Sequence, residues 1–375
     1  MSRILVSLVS KQTVPNVLFI KEMKEIDKYL FITTEKMEED HKRETIINAC
    51  KDSVKNNSSY IIAKEDSIID LQDKLKDYTD AETADDDVFI VNLTGGTKLM
   101  SIGAFEIFRK KESQIFYIPL GKNKYRKISP DVKLREFELE YRFTLDGYLR
   151  ANGIDIIHKV PDVRFDIEIT KKFFSLFEND LMIHHLPLLR ILKERIRNNP
   201  KWYRKHKTKP VSEFKGLDKL LYDLDLNITD IEKNVIDYIR GGWFEEYIYY
   251  FCDKIFDDDS LGLNYKLDLG GHVDNEFDVL FVHENCLYII EAKTNLKGEK
   301  GSNIINNVIY KSAALNKGFG LSCKSYLFHL DKEFEQKQNY ANYIKRAELM
   351  GLKVIGPDEL TPSKIVSTIK SLLIK

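Results

Sequence analysis

Val88-Phe89-Ile90-Val91-Asn92-Leu93 runs straight into Thr94-Gly95-Gly96-Thr97-Lys98, and the reading of this junction decides the fold. The apolar stretch is rich in β-formers and reads as a buried strand. From Thr97 onward, Met100, Gly103, Ala104, Ile107 and Phe108 recur at i, i+3, i+4, i+7 and i+8, the stripe of an amphipathic helix. A helix N-terminus carries free backbone N–H groups that attract phosphate. Gly95 and Gly96 let the backbone turn tightly and approach a ligand, while Thr97 and Lys98 add a hydroxyl and a cation. The spacing matches neither GxxxxGK[ST] nor GxGxxG, so this is not a P-loop or a dinucleotide fingerprint. Taken alone, the segment is equally a Gly-Gly turn with a capping threonine.

Working outward, Ile4–Val9, Tyr29–Thr33, Tyr60–Ala63 and Ile115–Leu120 read as further strands. Glu35–Lys51 has helical composition, and Ser67–Tyr78 places Ile68, Leu71 and Leu75 on one helical face. Strands separated by helical patterns predict an α/β, Rossmann-like parallel sheet covered on both faces. Such sheets bind ligands beyond the carboxyl ends of their strands. The first strand ends there in Ser10-Lys11-Gln12-Thr13-Val14-Pro15-Asn16. Two polar loops at one sheet edge suit a ligand made of phosphates and bases better than an apolar one.

A strand running into SxQxxPN, with NxTGGTKxM at a later strand–helix junction, resembles the CARF domain, the CRISPR-associated Rossmann fold. The resemblance covers roughly residues 1–140. It implies a sensor that forms a homodimer and binds a cyclic oligoadenylate across the two-fold axis. The contacts would come from Ser10, Gln12, Asn16, Thr94, Gly95, Gly96, Thr97 and Lys98.

Composition sets outer limits. Hydrophobic residues make up 43% and charged residues 31% of 375 residues, a soluble globular balance long enough for two domains. The formal net charge of -1 gives no global field for nucleic acid, so any such partner must meet a local patch. Cys50, Cys252, Cys286 and Cys323 are scattered, without zinc spacing, as expected of buried thiols in a reducing cytoplasm. No apolar run approaches the ~20 residues of a membrane span, and a cytoplasmic protein without a membrane partner is expected.

Residues 141–230 read as a connector. Phe137–Phe143 alternates like a half-exposed strand leading into it, Leu145–Asn152 looks helical, and Leu181–Ile196 carries a break or helix start at Pro187. Lys201–Lys209 is the densest basic run and holds Trp202 and Tyr203. It reads as a solvated face or as an arm that binds a nucleic-acid strand.

The third segment, 231–375, carries the chemistry. A helix is expected from Ile231, irregular at Gly241-Gly242, with Phe244, Ile248, Phe251 and Ile255 in one arc. On that wheel Glu245 flanks the arc and can reach a sheet edge, while Glu246 is expected to meet solvent. Tyr265–Leu269, Glu276–Val282 and Cys286–Ala292 read as strands, the last two a hairpin turning at His283-Glu284-Asn285. A helix at Asn303–Asn316 and a strand at Ser325–His329 complete an α/β core. Glu291 interrupts an apolar strand, a costly place for a carboxylate that lacks a partner. A hairpin brings Asp278 near it. Two such acids repel, and a divalent cation relieves the repulsion. Lys293 leaves on the same face as Glu291, since i and i+2 share a side.

Phe277-Asp278 … Glu291-Ala292-Lys293 resembles the PD-(D/E)xK nuclease fold, without the usual proline before the aspartate. The resemblance implies a Mg2+ or Mn2+ site built from Asp278, Glu291, the Ala292 carbonyl and Glu245. Catalytic roles would fall to Asp278, Glu291, Lys293 and Glu245. The two resemblances together match ancillary effectors of type III CRISPR systems, in which cyclic tetra-adenylate switches on cleavage of single-stranded DNA or RNA. Two other readings stay open at this level: a ligand-responsive regulator that holds nucleic acid without cutting it, and a sensor that degrades its own cyclic messenger.

Overall fold

A computed structural model describes the chain except residues 55, 112, 120, 131–132, 134, 161–162, 186–187, 190, 193, 195–207, 271–273, 297–303, 321–322 and 374–375. Pro187 and most of the basic run lie outside the described residues.

The first sheet is built from β1 (Arg3–Leu8), β2 (Lys28–Thr33), β3 (Ser58–Ile62), β4 (Val88–Asn92), β5 (Gln114–Tyr117), β6 (Lys124–Ser129) and β7 (Arg135–Glu138). Their order is β3-β2-β1-β4-β5-β6-β7. The first five are parallel, and β6 and β7 add an antiparallel hairpin at the edge. Strand order reverses between β1 and β4, so the loops after these two strands flank the crevice where such sheets bind ligands.

Alternation along β1 explains why both faces are covered. Ile4, Val6 and Leu8 pack with Leu71 and Leu75 of α1 (Ile68–Glu82) and Met100, Ala104 and Phe108 of α2 (Lys98–Lys110). Leu5 points the other way, into a core shared with Tyr148 and Leu149 of α3 (Leu145–Ala151). Glu35–Lys51 folds not as one helix but as three short ones, broken where His41 adopts a left-handed φ of 53°.

The stretch Phe137–Phe143 departs from expectation. Pairing stops at Glu138, because the Glu22 carboxylate accepts the N–H groups of Glu140 and Tyr141 that a ladder would have used. The N–H of Phe143 donates to Asn285 Oδ1 in the same way.

The second sheet is built from β8 (Asp155–Val160), β11 (Leu261–Asp268), β12 (Asp274–His283), β13 (Cys286–Lys293), β14 (Cys323–His329) and β15 (Leu352–Ile355), while β9 (Thr208–Pro210) and β10 (Asp230–Glu232) form a separate ribbon. Its order is β15-β14-β13-β12-β11-β8. Residues 141–230 thus supply an edge strand to the second sheet. They also supply α4 (Ile167–Glu178), which packs on α5 (Trp243–Asp253) through stacked rings, Phe173 on Trp243 and Phe174 on Tyr247. The helix expected from Ile231 starts at Lys233, just after β10, and runs through a wider turn at Tyr238–Gly242, where Gly241 leaves helical geometry, into α5.

The two sheets share one apolar core, in which Leu5, Phe31 and Tyr148 meet Leu267, Phe277, Leu280 and Phe319. Polar ties cross it: Thr13 Oγ1 donates to Ala151 O, Tyr148 OH to Phe319 O at 3.1 Å, and Asn285 Nδ2 to Asn123 Oδ1 at 2.7 Å. Gly320, at φ +81°, lies against the Gln12 side chain, and a Cβ there would stand 2.8 Å from Gln12 Oε1.

His329 on β14 is fully buried, and among the described residues neither ring nitrogen has a hydrogen-bond partner. Burial pushes its pKa down from 6.5 to about 4, against the opposing pull of Asp331. The unfolded chain therefore takes up a proton that the folded chain refuses, and stability falls as pH drops from 6.5 toward 4. Urea unfolding across that window should show a loss of about 3 kcal/mol that His329→Leu lacks. Parallel curves for the two proteins would refute it.

Candidate active site and ligand site

The β12–β13 hairpin closes through Glu284 and Asn285, both left-handed at φ 49° and 56°, the conformation that matches strand twist in a two-residue turn. That turn fixes the register from His283↔Cys286 to Val279↔Ile290, and one further step sets Asp278 opposite Glu291. On the other side the ladder runs Leu263↔Val279 and Tyr265↔Phe277, which puts Asn264 beside Asp278. Phe277 is locked by the edge of the Phe319 ring, 5.3 Å between centroids.

Lys293 Nζ sits among the groups singled out as cation ligands. It lies 2.7 Å from Glu291 Oε1 and 3.3 Å from Asp278 Oδ2, and it donates to Ala292 O at 3.0 Å. Ala292 N donates to Asp278 Oδ2 at 2.7 Å, so the backbone itself positions that carboxylate. Burial and then Glu291 push the Asp278 pKa up to about 7, with Lys293 opposing and Glu245 adding to the rise. Burial works against the charge on Lys293, but Asp278 and Glu291 outweigh it and hold the ammonium protonated. Glu245, on α5, is raised by burial and by Glu291, offset by the Asn264 amide and Lys293.

Among the described residues, no three acidic, histidine or cysteine side chains converge at metal-ligating distance. The ammonium of Lys293 explains the spacing: it holds Asp278, Glu291 and Ala292 O about itself as a cation would. An ammonium keeps its oxygens farther away than the ~2.1 Å of Mg2+. The oxygen donors therefore fit a hard divalent cation by their chemistry.

Glu246 corrects the sequence reading. It is 1% exposed, accepts from Arg164 N at 3.0 Å and pairs with Arg164 Nη1 at 3.1 Å. Burial raises its pKa and Arg164 counters this. The helical wheel did place Glu245 toward the sheet, but the solvent direction assigned to Glu246 is filled by the turn before α4.

At the first sheet, the two expected loops meet. A Cβ on Gly95 would lie 2.0 Å from Leu8 O, so only glycine lets the β4 loop cross the end of β1. Asn16 is buried: its Nδ2 donates to Leu8 O at 2.9 Å and its Oδ1 accepts from Asn92 Nδ2 at 3.1 Å. Thr94 Oγ1 donates to Asn92 Oδ1 at 2.6 Å and accepts from Ile118 N at 2.8 Å. Thr97 caps α2 through Met100 N and donates to Glu65 O at 2.7 Å. Ser10 Oγ donates to Gln12 O at 3.0 Å, and Lys98 is exposed. Gln12 turns toward the other half of the chain. There, with Pro15, Asn123, Cys286 and Cys323, it lines a cavity of about 290 Å3 between the two sheets.

Residues 4–148 match the family model of the Card1 CARF domain, and residues 232–371 match that of the Card1-like endonuclease domain. The chain is a Card1-like CARF-domain endonuclease. Among solved structures it resembles protein VC1899 from Vibrio cholerae, with 21% identity, a TM-score of 0.75, and coverage of 99% of this chain and 97% of that one. Can2 from Sulfobacillus thermosulfidooxidans, solved with cyclic tetra-adenylate, shares 18% identity at a TM-score of 0.72, covering 100% of both chains. A type III CRISPR defence DNA nuclease activated by cyclic oligoadenylate shares 16% identity at a TM-score of 0.52 over 88% of this chain and 45% of that one. No curated protein matches the sequence. At these identities the structures establish the fold. The family models establish the CARF and endonuclease assignments.

Two residues of the endonuclease site escaped the sequence reading. Asn264 sits at an irregularity of β11 with φ 52°, and a lone asparagine in a strand pattern gives no signal of that. Arg164 lies 82 residues from Glu246. The two glutamates should separate cleanly on substitution. Glu246→Ala leaves Arg164 without its partner and is expected to cost about 3 kcal/mol in urea unfolding. Glu245→Ala removes a carboxylate whose ionisation burial opposes, and should cost under about 1 kcal/mol. Equal losses would contradict the division of roles.

Proposed function

We propose that this endonuclease is a cyclic tetra-adenylate-activated, Mg2+- or Mn2+-dependent nuclease that cuts single-stranded DNA or RNA in antiviral defence. The observation that carries it is the position of Lys293 Nζ, held by Glu291 Oε1, Asp278 Oδ2 and Ala292 O as a cation would be. Residues 1–140 would act as the sensor, 141–230 as the connector and 231–375 as the nuclease. The family matches at 4–148 and 232–371 support the outer two.

In the nuclease, Asp278, Glu291, Ala292 O and Glu245 would hold the divalent cation. When bound, that cation supplies Lewis acidity and lowers the pKa of water near the phosphodiester. The Ala292 N–H keeps Asp278 Oδ2 aimed inward, and Asn264 and Glu245 close the same end of the strands. Lys293, freed from the carboxylates, brings its charge to the phosphate oxygens as negative charge builds on them. In the sensor, the switch-point loops of two protomers would face the messenger. Ser10 and Thr94–Lys98 would border it, with Gln12 and Asn16 fixing the loop. The Can2 structure, which contains cyclic tetra-adenylate, supports this ligand. A ligand shifts such an equilibrium only by binding one arrangement more tightly.

Labelled single-stranded DNA, single-stranded RNA and supercoiled plasmid, incubated with Mn2+ with and without cyclic tetra-adenylate, test the reading directly. Cutting should require the activator and fall on the order of 10²-fold or more in Glu291→Ala and Asp278→Asn. Full cleavage by both variants would remove the proposed site. Tight messenger binding without cutting would leave a regulator, and a messenger shortened by mass analysis would place chemistry in the sensor.

A further inference from the structure

Glu291 carries a second cation that the proposed chemistry does not use. Its Oε1 is taken by Lys293, while its Oε2 lies 3.7 Å from Nζ of Lys311. Lys311 stands on α6 (Ile304–Asn316), the helix that covers this end of the sheet through the buried Ile305, Val308 and Ile309. Its Nζ also donates to Glu276 O at 3.3 Å. The two lysines differ in setting. Lys293 is rooted in a strand and surrounded by carboxylates, whereas the Lys311 side chain is 43% exposed and approaches Glu291 from solvent.

We propose that Lys311 is a substrate-binding residue of the nuclease site, holding a backbone phosphate of the nucleic-acid strand beside the bond to be cut. This rests on the nuclease reading above and extends it to how the strand is gripped. The argument is one of charge. Asp278, Glu291 and Glu245 gather around Lys293, and Glu291 also faces Lys311, so three carboxylates meet two ammonium groups and both lysines are drawn inward. With a divalent cation held by those carboxylates, the balance turns positive, and Lys311 loses its attraction to Glu291. Its contacts with the protein are long, 3.7 Å and 3.3 Å, and lie at the solvent edge, where an ion pair contributes little. A flexible four-carbon arm released at the mouth of the site then meets the next negative charge to arrive, a phosphate. A protein with a net charge of -1 needs such local cations to hold a polyanion at all.

The test uses the full chain with cyclic tetra-adenylate, and Ca2+ in place of Mn2+ to hold the strand uncut. Fluorescence anisotropy is read with labelled 20-nucleotide single-stranded DNA, single-stranded RNA and duplex DNA at several salt concentrations. Lys311→Gln should weaken binding of the preferred probe about tenfold and flatten the log–log salt slope by about 0.7–0.9, one phosphate contact. Lys311→Arg should keep most of the affinity. In Mn2+, Lys311→Gln should raise KM about tenfold with kcat within about threefold, because the contact is made before and during the reaction alike. Mn2+ binding without nucleic acid, followed by calorimetry, should be unchanged or tighter. An unchanged affinity and slope in Lys311→Gln overturns the proposal. So does weaker Mn2+ binding, which would make Lys311 a support for Glu291. If Lys311→Gln fails to fold, a Lys311→Arg protein that folds yet binds no better than tenfold below the parent overturns it too. A parent protein that binds none of the probes overturns the nuclease reading as well, whereas a parent that binds while Lys311→Gln matches it overturns this proposal alone.

Discussion

Everything in the second half of the chain depends on keeping charged carboxylates at the end of a buried sheet. An isolated carboxylate there would cost several kcal/mol, and a neighbour of like sign makes it worse. Lys293 relieves this by standing between Asp278 and Glu291, and the backbone N–H of Ala292 relieves it further. The residual strain shows in Asp278, whose pKa is still lifted to about 7 by burial and Glu291. The rest of the structure serves to hold that arrangement in register. The left-handed turn at Glu284-Asn285 prevents a slip that would send Glu291 to the opposite face, and stacked Phe281 and Tyr288 rings, 4.7 Å between centroids, clamp the same pair of strands.

In the CARF domain the governing constraint is backbone contact at the switch point. Gly95 brings the β4 loop onto Leu8 O, and the Asn16 and Asn92 amides then tie the two strand ends together. The side chains nearest this contact are spent on structure, and Lys98 is left facing outward. From the same loop a continuous run of contacts leads to the nuclease. Thr13 bonds the end of α3, Tyr148 of α3 bonds Phe319, and the Phe319 ring packs on Phe277, the residue before Asp278. Packed cores have discrete arrangements rather than a continuum, so a loop displaced by ligand has a physical route to the β12 strand end.

Local pattern was enough wherever local physics decides. Short apolar runs rich in β-formers marked β1, β2, β4, β12 and β13, and the turn residues between β12 and β13 implied the hairpin that brings Asp278 to Glu291. Glu291 interrupting an apolar strand was itself the signal that a partner must stand beside it, and the folded chain supplies Lys293. Pattern failed where a distant partner decides. A wheel can say that Glu245 and Glu246 diverge, but only the folded chain places Arg164 against Glu246. The alternation of Phe137–Phe143 is genuine, yet Glu22 and Asn285 take the backbone donors a strand would need. β8 joins a sheet whose other strands begin about a hundred residues later, a pairing no short window reports.

The resemblance in motif and the geometry of the site also constrain each other. A salt bridge between Glu291 and Lys293 would by itself be an ordinary structural pair, since neighbours of opposite charge on one strand face attract. Two facts argue for more. The same ammonium reaches Asp278 and a backbone carbonyl, an oxygen set suited to a hard cation. And a purely structural core gains little from three partly buried carboxylates, since apolar residues of like volume would be as stable or more so. Lys293 satisfies the carboxylates in the folded chain, but it cannot share their centre with a divalent cation. On the proposed function, the residue that stabilises the sheet is therefore the one that would turn outward once a cation is held, and its strand position, on the same face as Glu291, would leave it within reach of what those carboxylates bind.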